Sequence, residues 1–189
     1  MSRPVVLVAV LALLAAGCTG GASAADCERL PGVRPGLCLT DVGDREPAPT
    51  RTAPVLGDEA TEMGLADVAG TPTVLNFWGS WCGPCRTEQP ELNQVAERFD
   101  GEVAFLGVNV DDPVPNAVAF QREFDVPYDS VHDPAGSFAA AFGGIGPSVM
   151  PSTLLLDADG RVAARIFGST DETELTVLVE LLLREADGG

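Results

Sequence analysis

Two cysteines separated by two residues carry the clearest chemistry in this sequence. They lie in residues 81–85 (Trp-Cys-Gly-Pro-Cys), after an apolar run at 73–80 and before a stretch with helical periodicity at 86–99. A cysteine pair with this spacing at a strand-to-helix turn is suited to dithiol–disulfide exchange. The sequence therefore predicts a redox-active pair, Cys82 and Cys85.

The two cysteines have different predicted roles. Cys82 lies at the expected helix N-terminus, where the dipole and free N–H groups favour a thiolate, so we expect it to be the attacking thiol. Because the start of the helix faces solvent, we expect its sulfur to be exposed. Cys85 lies one turn later, is expected to be more buried, and resolves the mixed disulfide. Gly83 and Pro84 set the turn between them. A zinc site is the alternative, but it needs four ligands, and the chain has one histidine, His132, and no second such pair.

The first residues predict export. Residues 1–17 have a positive start and a short apolar core, which is typical of a signal peptide, and Cys18 follows small residues as in a bacterial lipobox. We therefore expect lipidation of Cys18 and a tether over residues 18–52, ahead of a domain at 53–189. Ordinary cleavage near residues 22–25, which would leave a secreted protein, is the alternative.

The remaining cysteines flank a segment rich in proline and glycine. Five cysteines is an odd number for an exported protein, and the lipid and the redox pair leave Cys27 and Cys38. A structural disulfide between them would staple a loop that has little core of its own. A second redox or metal pair is the alternative, although nothing around these cysteines resembles an active-site turn.

The charge balance excludes one class of partner. The formal net charge is −17 and there is no lysine, so the surface repels nucleic acid. An acidic surface also disfavours contact with anionic lipid, which makes an anchor important.

Asp111 and Asp112 follow a strand and are predicted as turn residues rather than a metal pair.

Strand and helix patterns alternate through the predicted domain. A hairpin is expected around the turn at residues 157–160, and a capping box at 169–172 opens the last helix. Residues 126–134, with Tyr128 and His132, are predicted as a loop. The expected strands are 73–78, 102–110, 152–156 and 161–167, with a short ribbon in 55–65, and the expected helices are 86–99, 116–124, 135–142 and 169–185.

Four segments together resemble the thioredoxin superfamily, and within it the extracytoplasmic TlpA/ResA-type oxidoreductases. They are residues 76–85 (NFWGSWCGPC), 88–90 (EQP), 108–112 (VNVDD) and 150–157 (MPSTLLLD) with Gly160. The resemblance implies an α/β thioredoxin-like fold with a central mixed sheet flanked by helices. It also implies an insertion, residues 111–142, between the second core strand and the C-terminal hairpin.

The resemblance also suggests supporting residues. Pro151 would be the cis-proline beside the dithiol, with Pro147 as a competitor, and Met150 would contact substrate. Asn76 stands where thioredoxin has a buried acid, so Glu88 becomes the candidate proton acceptor; a simple helix-N-terminal acid is the alternative. Trp81 is expected beside Cys82 on the docking surface.

The function implied is reduction of disulfides in exported proteins, notably apocytochrome c, by a monomer that needs no cofactor. A membrane thiol-electron transporter would supply the electrons. The alternatives are an oxidase that forms disulfides, a copper-delivery protein using the cysteine pair with Met150, and a purely structural lipoprotein.

Overall fold

The computed structural model describes residues 34–188, in which one eight-stranded sheet is flanked by helices. The strand order across the sheet is β1-β8-β7-β4-β5-β6-β2-β3. The strands are β1 (Leu37–Leu39), β2 (Thr52–Val55), β3 (Asp58–Gly64), β4 (Thr73–Trp78), β5 (Ala104–Val110), β6 (Ser130–Asp133), β7 (Ser152–Leu156) and β8 (Val162–Phe167). The helices are α1 (Gly83–Arg98), α2 (Val114–Glu123), α3 (Ser137–Ala140) and α4 (Glu172–Asp187).

The centre of the sheet is mixed. β4 is parallel to β5 and antiparallel to β7, and every residue of β4 is buried. A strand covered on both faces reads as a continuous apolar run, which is the pattern that predicted it. Because β4 and β5 are parallel, their C-terminal ends meet at one edge, where the cysteine pair begins.

Two cores cover the faces of the sheet. One joins α1 and α4 to β4, β7 and β8, and its fully buried members include Leu92, Val95 and Leu175. The other packs Phe77 and Val108 against Phe138 and Phe142. The first of these cores holds α1 against the sheet, which fixes the first turn of α1 beside the end of β4.

The predicted hairpin and the main helices are confirmed. β7 and β8 pair antiparallel around the 157–160 turn, and α1 begins at Gly83, three residues earlier than predicted. The last helix is also present, but its N-cap is Asp171, whose side chain accepts a hydrogen bond from the Glu174 N–H. The expected cap at the start of the 169–172 segment was therefore wrong by two residues.

The predicted tether is packed against the domain in the part that the structure describes. β1 pairs antiparallel with β8, placing Cys38 opposite Arg165. Arg45 is 6% exposed and forms ion pairs with Asp157 and Glu185. The expected boundary at residue 53 is therefore too late. A strand of three residues is too short to show a periodic pattern in the sequence. It forms because it pairs with β8 at the edge of the sheet.

A second correction concerns residues 126–134, which were predicted as a loop. They contain β6, which pairs parallel with β5 and brings His132 opposite Asn109. Residues 111–142, expected as an insertion, contain α2, β6 and α3.

No helix among residues 34–188 is long and apolar enough to cross a membrane. Residues 1–33, which contain the predicted signal peptide, Cys18 and Cys27, lie outside the described residues.

Candidate active site

The cysteine pair lies where β4 passes into α1. Cys82 is the N-cap of α1, and its Sγ accepts a hydrogen bond from the Cys85 N–H at 3.2 Å. The two sulfurs are bonded at 2.03 Å. Gly83 is the first helical residue, and Pro84 occupies the first turn, where its missing N–H costs nothing. The predicted position at a helix N-terminus is confirmed.

The expected exposure of Cys82 was wrong. Cys82 is 3% exposed and Cys85 is 1% exposed, so both are buried in the disulfide form. Cys82 belongs to a cluster with Trp78, Ala117 and Phe120, and Met150 lies at its partly buried margin. α2, which follows the pair by some 30 residues, supplies this cover, so local sequence around the cysteines does not reveal it.

Trp81 is the exposed residue of the segment. Its side chain is 47% exposed, and its Nε1–H donates to the Asp111 carbonyl oxygen at 2.9 Å. The indole folds back over Gly79, where a Cβ would lie 2.6 Å from the ring, so only glycine fits there. A rigid, exposed aromatic surface directly before Cys82 is suited to contact with a substrate chain.

Glu88 lies inside the protein one turn after Cys85. It is 2% exposed; its Oε1 accepts a hydrogen bond from Asn76 Nδ2 at 3.2 Å, and its Oε2 accepts one from the Thr170 N–H at 3.1 Å. Burial raises the pKa of Glu88 to about 7, although both hydrogen bonds and the charge of Arg34 act to lower it. A carboxyl group with a pKa near neutrality can accept and return protons.

Asn76 connects Glu88 to the neighbouring strand. Its Nδ2 also donates to Thr153 Oγ1 at 3.1 Å, while its buried Oδ1 has no hydrogen-bond partner among the described residues. Thr153 lies two residues after Pro151. Asn76 therefore links the acid on α1 to the strand that begins at the predicted cis-proline.

The Met150–Pro151 peptide bond is cis, as predicted. The competitor Pro147 begins a short 3-10 helix, Pro147–Val149. Met150 is partly buried and contacts both the Cys82 cluster and the core beneath β7. The structure thus brings Met150, Pro151 and the cysteine pair to one end of the sheet.

Asp112 is a site residue that sequence reasoning missed. It was predicted as a turn residue, but it is 4% exposed and its carboxylate accepts two hydrogen bonds from Ser80, two residues before Cys82. The usable signal was topological, because side chains that follow adjacent parallel strands meet at one edge of the sheet.

His132 lies close to the same region without forming a metal site. Its Nε2 is 2.8 Å from the Asp112 carbonyl oxygen. Within residues 34–188, no group of three or more His, Cys, Asp and Glu side chains is arranged to hold a metal ion.

Comparison with known proteins places this site in a family. The family model described as AhpC/TSA matches residues 44–165. The chain belongs to the AhpC/TSA family. ResA, a thiol-disulfide oxidoreductase of Geobacillus thermodenitrificans, is 36% identical over 128 residues, which cover 66% of this chain and 72% of that protein.

Two further relatives extend over more of the chain. HelX, a thiol:disulfide interchange protein of Rhodobacter capsulatus, is 32% identical over 186 residues, 97% of each protein. The crystal structure of a secreted thiol-disulfide isomerase from Corynebacterium glutamicum matches with a TM-score of 0.76 and 29% identity, covering 87% of this chain and 99% of that one. This member of the AhpC/TSA family is a thiol–disulfide oxidoreductase with a thioredoxin-like fold.

Proposed function

We propose that this oxidoreductase reduces disulfides in exported proteins outside the cytoplasmic membrane, with apocytochrome c as the expected substrate. The observation that carries the proposal is the bonded Cys82–Cys85 pair at the start of α1, with Glu88 buried one turn further along and its pKa raised to about 7. In its reduced, dithiol form the pair supplies two electrons and ends as this disulfide. The acid supplies a proton acceptor inside the protein.

The reaction follows from these positions. In the reduced protein, the Cys82 thiolate attacks a substrate disulfide, which forms a mixed disulfide and releases one substrate thiolate. Glu88 accepts the proton of the Cys85 thiol, directly or through a water molecule. The Cys85 thiolate then attacks the Cys82 sulfur, releases the second substrate thiolate and closes the Cys82–Cys85 disulfide. Two electrons have passed to the substrate, whose two thiolates take up two protons.

Substrate recognition uses the surface around the pair. Trp81 is exposed beside Cys82, and Met150 and Pro151 lie at the same end of the sheet. An extended substrate chain pairing with the backbone near Met150 would bring its disulfide to Cys82. Because Cys82 is only 3% exposed, an incoming sulfur must pass the partly buried margin of its cluster.

After each reaction the Cys82–Cys85 disulfide must be reduced again. The proposed reaction uses no electron-carrying cofactor, so an external dithiol must supply the two electrons. A membrane thiol-electron transporter is the expected donor, and lipidation of Cys18 would keep the protein, as a monomer, on the outer face of the cell membrane. Replacing Cys18 by serine should move the protein from the membrane fraction to the soluble fraction. Retention at the membrane would contradict the lipid anchor.

The pairing of Cys27 with Cys38 belongs to the same proposal. Cys38 lies on β1, and Cys27 lies outside the described residues. Mass spectrometry of the alkylated, non-reduced protein should recover one peptide pair that contains both cysteines. Two separately alkylated peptides would contradict the pairing.

The reduction potential of the Cys82–Cys85 pair tests the direction of the reaction. The domain, without the signal peptide and Cys18, would be equilibrated against dithiothreitol and glutathione buffers. A value near that of thioredoxin, about −270 mV, supports a reductase. A value near that of DsbA, about −120 mV, would instead make the protein an oxidase of exported proteins.

Cysteine variants test the activity itself. Cys82→Ala should abolish reduction of a disulfide-containing apocytochrome c peptide, whereas Cys85→Ala should trap the mixed disulfide on Cys82. Unchanged function in Cys82→Ala would instead favour a structural lipoprotein. Tight binding of Cu(I) in a titration of the reduced protein would favour copper delivery.

A further inference from the structure

The turn that leads into the cysteine pair is held by a buried carboxylate. Asp112 Oδ2 accepts a hydrogen bond from the Ser80 N–H at 2.6 Å, and Asp112 Oδ1 accepts one from Ser80 Oγ–H at 2.7 Å. Asn109 Nδ2 donates to Oδ2 at 2.9 Å. Three donors from the described residues therefore face the two carboxyl oxygens of Asp112.

Neighbouring contacts hold the same turn to the end of β5. The Trp81 indole donates to the Asp111 carbonyl oxygen, and the backbone of Asp111 is left-handed, with φ of 49°. Ser80 and Trp81, the two residues before Cys82, are therefore both anchored just beyond β5. The turn before Cys82 lies close to the end of β5 because β4 pairs with β5, which sets Trp78 opposite Asn109.

We propose that Asp112 is a positioning residue for the thiol–disulfide reaction, which holds the turn from Ser80 to Cys82 and whose charge favours the disulfide over the Cys82 thiolate. Reduction of the pair takes up two electrons and two protons, or one proton where Cys82 remains a thiolate. Asp112 and Cys82 are both buried, and Asp112 is hydrogen-bonded to Ser80, two residues before Cys82. A negative charge placed there opposes the thiolate and so raises the free energy of the reduced form. The pair then gives up electrons more readily.

This role deepens the proposed function, on which it rests, because it makes the pair a better reductant. The charge of Asp112 opposes the α1 dipole, which favours the thiolate at the same helix end. Burying a carboxylate is costly unless donors compensate it, and Ser80 and Asn109 supply that compensation.

Asp112→Asn separates the charge from the hydrogen bonds. The amide oxygen can accept from the Ser80 N–H and from Asn109, while the amide nitrogen donates to the Ser80 hydroxyl, which reverses its role. We expect the Cys82 pKa to fall by about one unit, so that the thiolate is about tenfold more favoured. The reduction potential should become less negative by about 30 mV, which is a tenfold change in the equilibrium constant.

Two matched variants sharpen the test. Asp111→Asn removes the same charge one residue away, but the Asp111 side chain is exposed. Solvent screening should therefore keep the change in the redox equilibrium constant below about twofold. Ser80→Ala keeps the charge of Asp112 and removes one hydrogen bond that compensates it. The charge should then oppose the Cys82 thiolate more strongly, and the potential should become more negative. Asp112→Asn and Ser80→Ala therefore shift the potential in opposite directions.

The proposal fails if Asp112→Asn leaves both the Cys82 pKa and the potential unchanged, or if Asp111→Asn changes the potential as much as Asp112→Asn does. If Asp112→Asn does not fold, Ser80→Ala decides alone, and an unchanged or less negative potential overturns the proposal. The potential of the parent protein tests the reductase direction, whereas the differences between variants test the role of Asp112.

Discussion

Glu88 and Asp112 are both buried carboxyl groups of the same site, but different numbers of donors surround them. Glu88 is 2% exposed and receives two hydrogen bonds of 3.1 and 3.2 Å. Asp112 is 4% exposed and receives three, of 2.6, 2.7 and 2.9 Å. Nearly equal burial therefore accompanies two different environments.

The difference shows what sets the chemical role of a buried acid. At Glu88, burial outweighs the two hydrogen bonds, and the pKa rises to about 7, which suits a proton carrier. At Asp112, short bonds from Ser80 and Asn109 tie the carboxylate to the turn before Cys82, which suits an anchor. The donors also differ in origin: those of Glu88 come from β4 and the segment before α4, whereas those of Asp112 come from β5 and the active-site turn.

The largest expected effect comes from removing the proton carrier. Glu88→Gln should slow the attack of Cys85 on the mixed disulfide by about 100-fold, because a positioned acid–base group contributes at least that much. The potential should change little, which is the reverse of the result expected for Asp112→Asn. Stopped-flow measurement of resolution of a preformed mixed disulfide with a model peptide checks this.

Glu97→Gln is the matched control for that experiment, since Glu97 is exposed on the same helix. Its rate of resolution should equal that of the parent protein. If Glu88→Gln also resolves at the parent rate between about pH 6 and 8, Glu88 is only a structural acid.

The stability of the oxidised protein should depend on pH because Glu88 titrates. Its pKa is about 7 in the folded protein against a reference value of 4.5, so the unfolded state loses its proton first as the pH rises. Stability is therefore lost between these two values. The linkage amounts to roughly 2.5 kcal/mol between about pH 5 and pH 8.

Denaturant unfolding of the parent and of Glu88→Gln at both pH values measures this effect. The difference in unfolding free energy between variant and parent should shift in favour of Glu88→Gln by that amount as the pH rises. A difference that stays constant with pH would show that Glu88 does not titrate in this window.

The main helices, the hairpin and the cysteine pair follow from local pattern, and they could be predicted. α1 has apolar residues at helical spacing, and β4 is a continuous apolar run. The order of β1 and β6, by contrast, depends on partner strands that are distant in sequence. A four-residue segment such as β6 has no sufficient local signal, and its hydrogen bonds to β5 decide its conformation.

The same reason explains the one error and the one omission at the site. Cys82 is buried because Ala117 and Phe120 of α2 pack in its cluster, which is a tertiary contact. Asp112 and Ser80 meet because β4 and β5 are parallel neighbours. Residue type and spacing identified the cysteines, and the family resemblance pointed to Glu88, but only the sheet order reveals which carboxylate holds the turn.

A smaller effect is expected at Asn76, which lowers the pKa of Glu88 through its hydrogen bond. Asn76→Ala removes that bond, so the pKa of Glu88 should rise. The rate at which Cys85 resolves the mixed disulfide, measured against pH, should then have its midpoint at a higher pH. Thr153→Val is the control, because it removes only the bond between Thr153 and Asn76. If both variants move the midpoint equally, the bond to Glu88 is not the cause.

The smallest effect is expected at Arg34, which acts on Glu88 through its charge rather than by contact. Its guanidinium forms two hydrogen bonds with Glu174, at 2.6 and 2.7 Å, and donates to the Ser169 carbonyl oxygen beside Thr170. Arg34→Gln should raise the pKa of Glu88, but by less than Asn76→Ala does. The pH–rate midpoint measures the change.

Glu174→Gln gives the opposite sign, because it leaves the charge of Arg34 without its partner and so lowers the pKa of Glu88. Salt should reduce both shifts, since Arg34 is partly exposed and its charge is screened. Shifts of the same sign, or shifts that persist undiminished in high salt, would mean that Arg34 acts by holding the segment of Thr170 in place. Glu88 would then depend on a positioned donor, as Ser80 depends on Asp112, and the contrast between the two carboxylates would narrow.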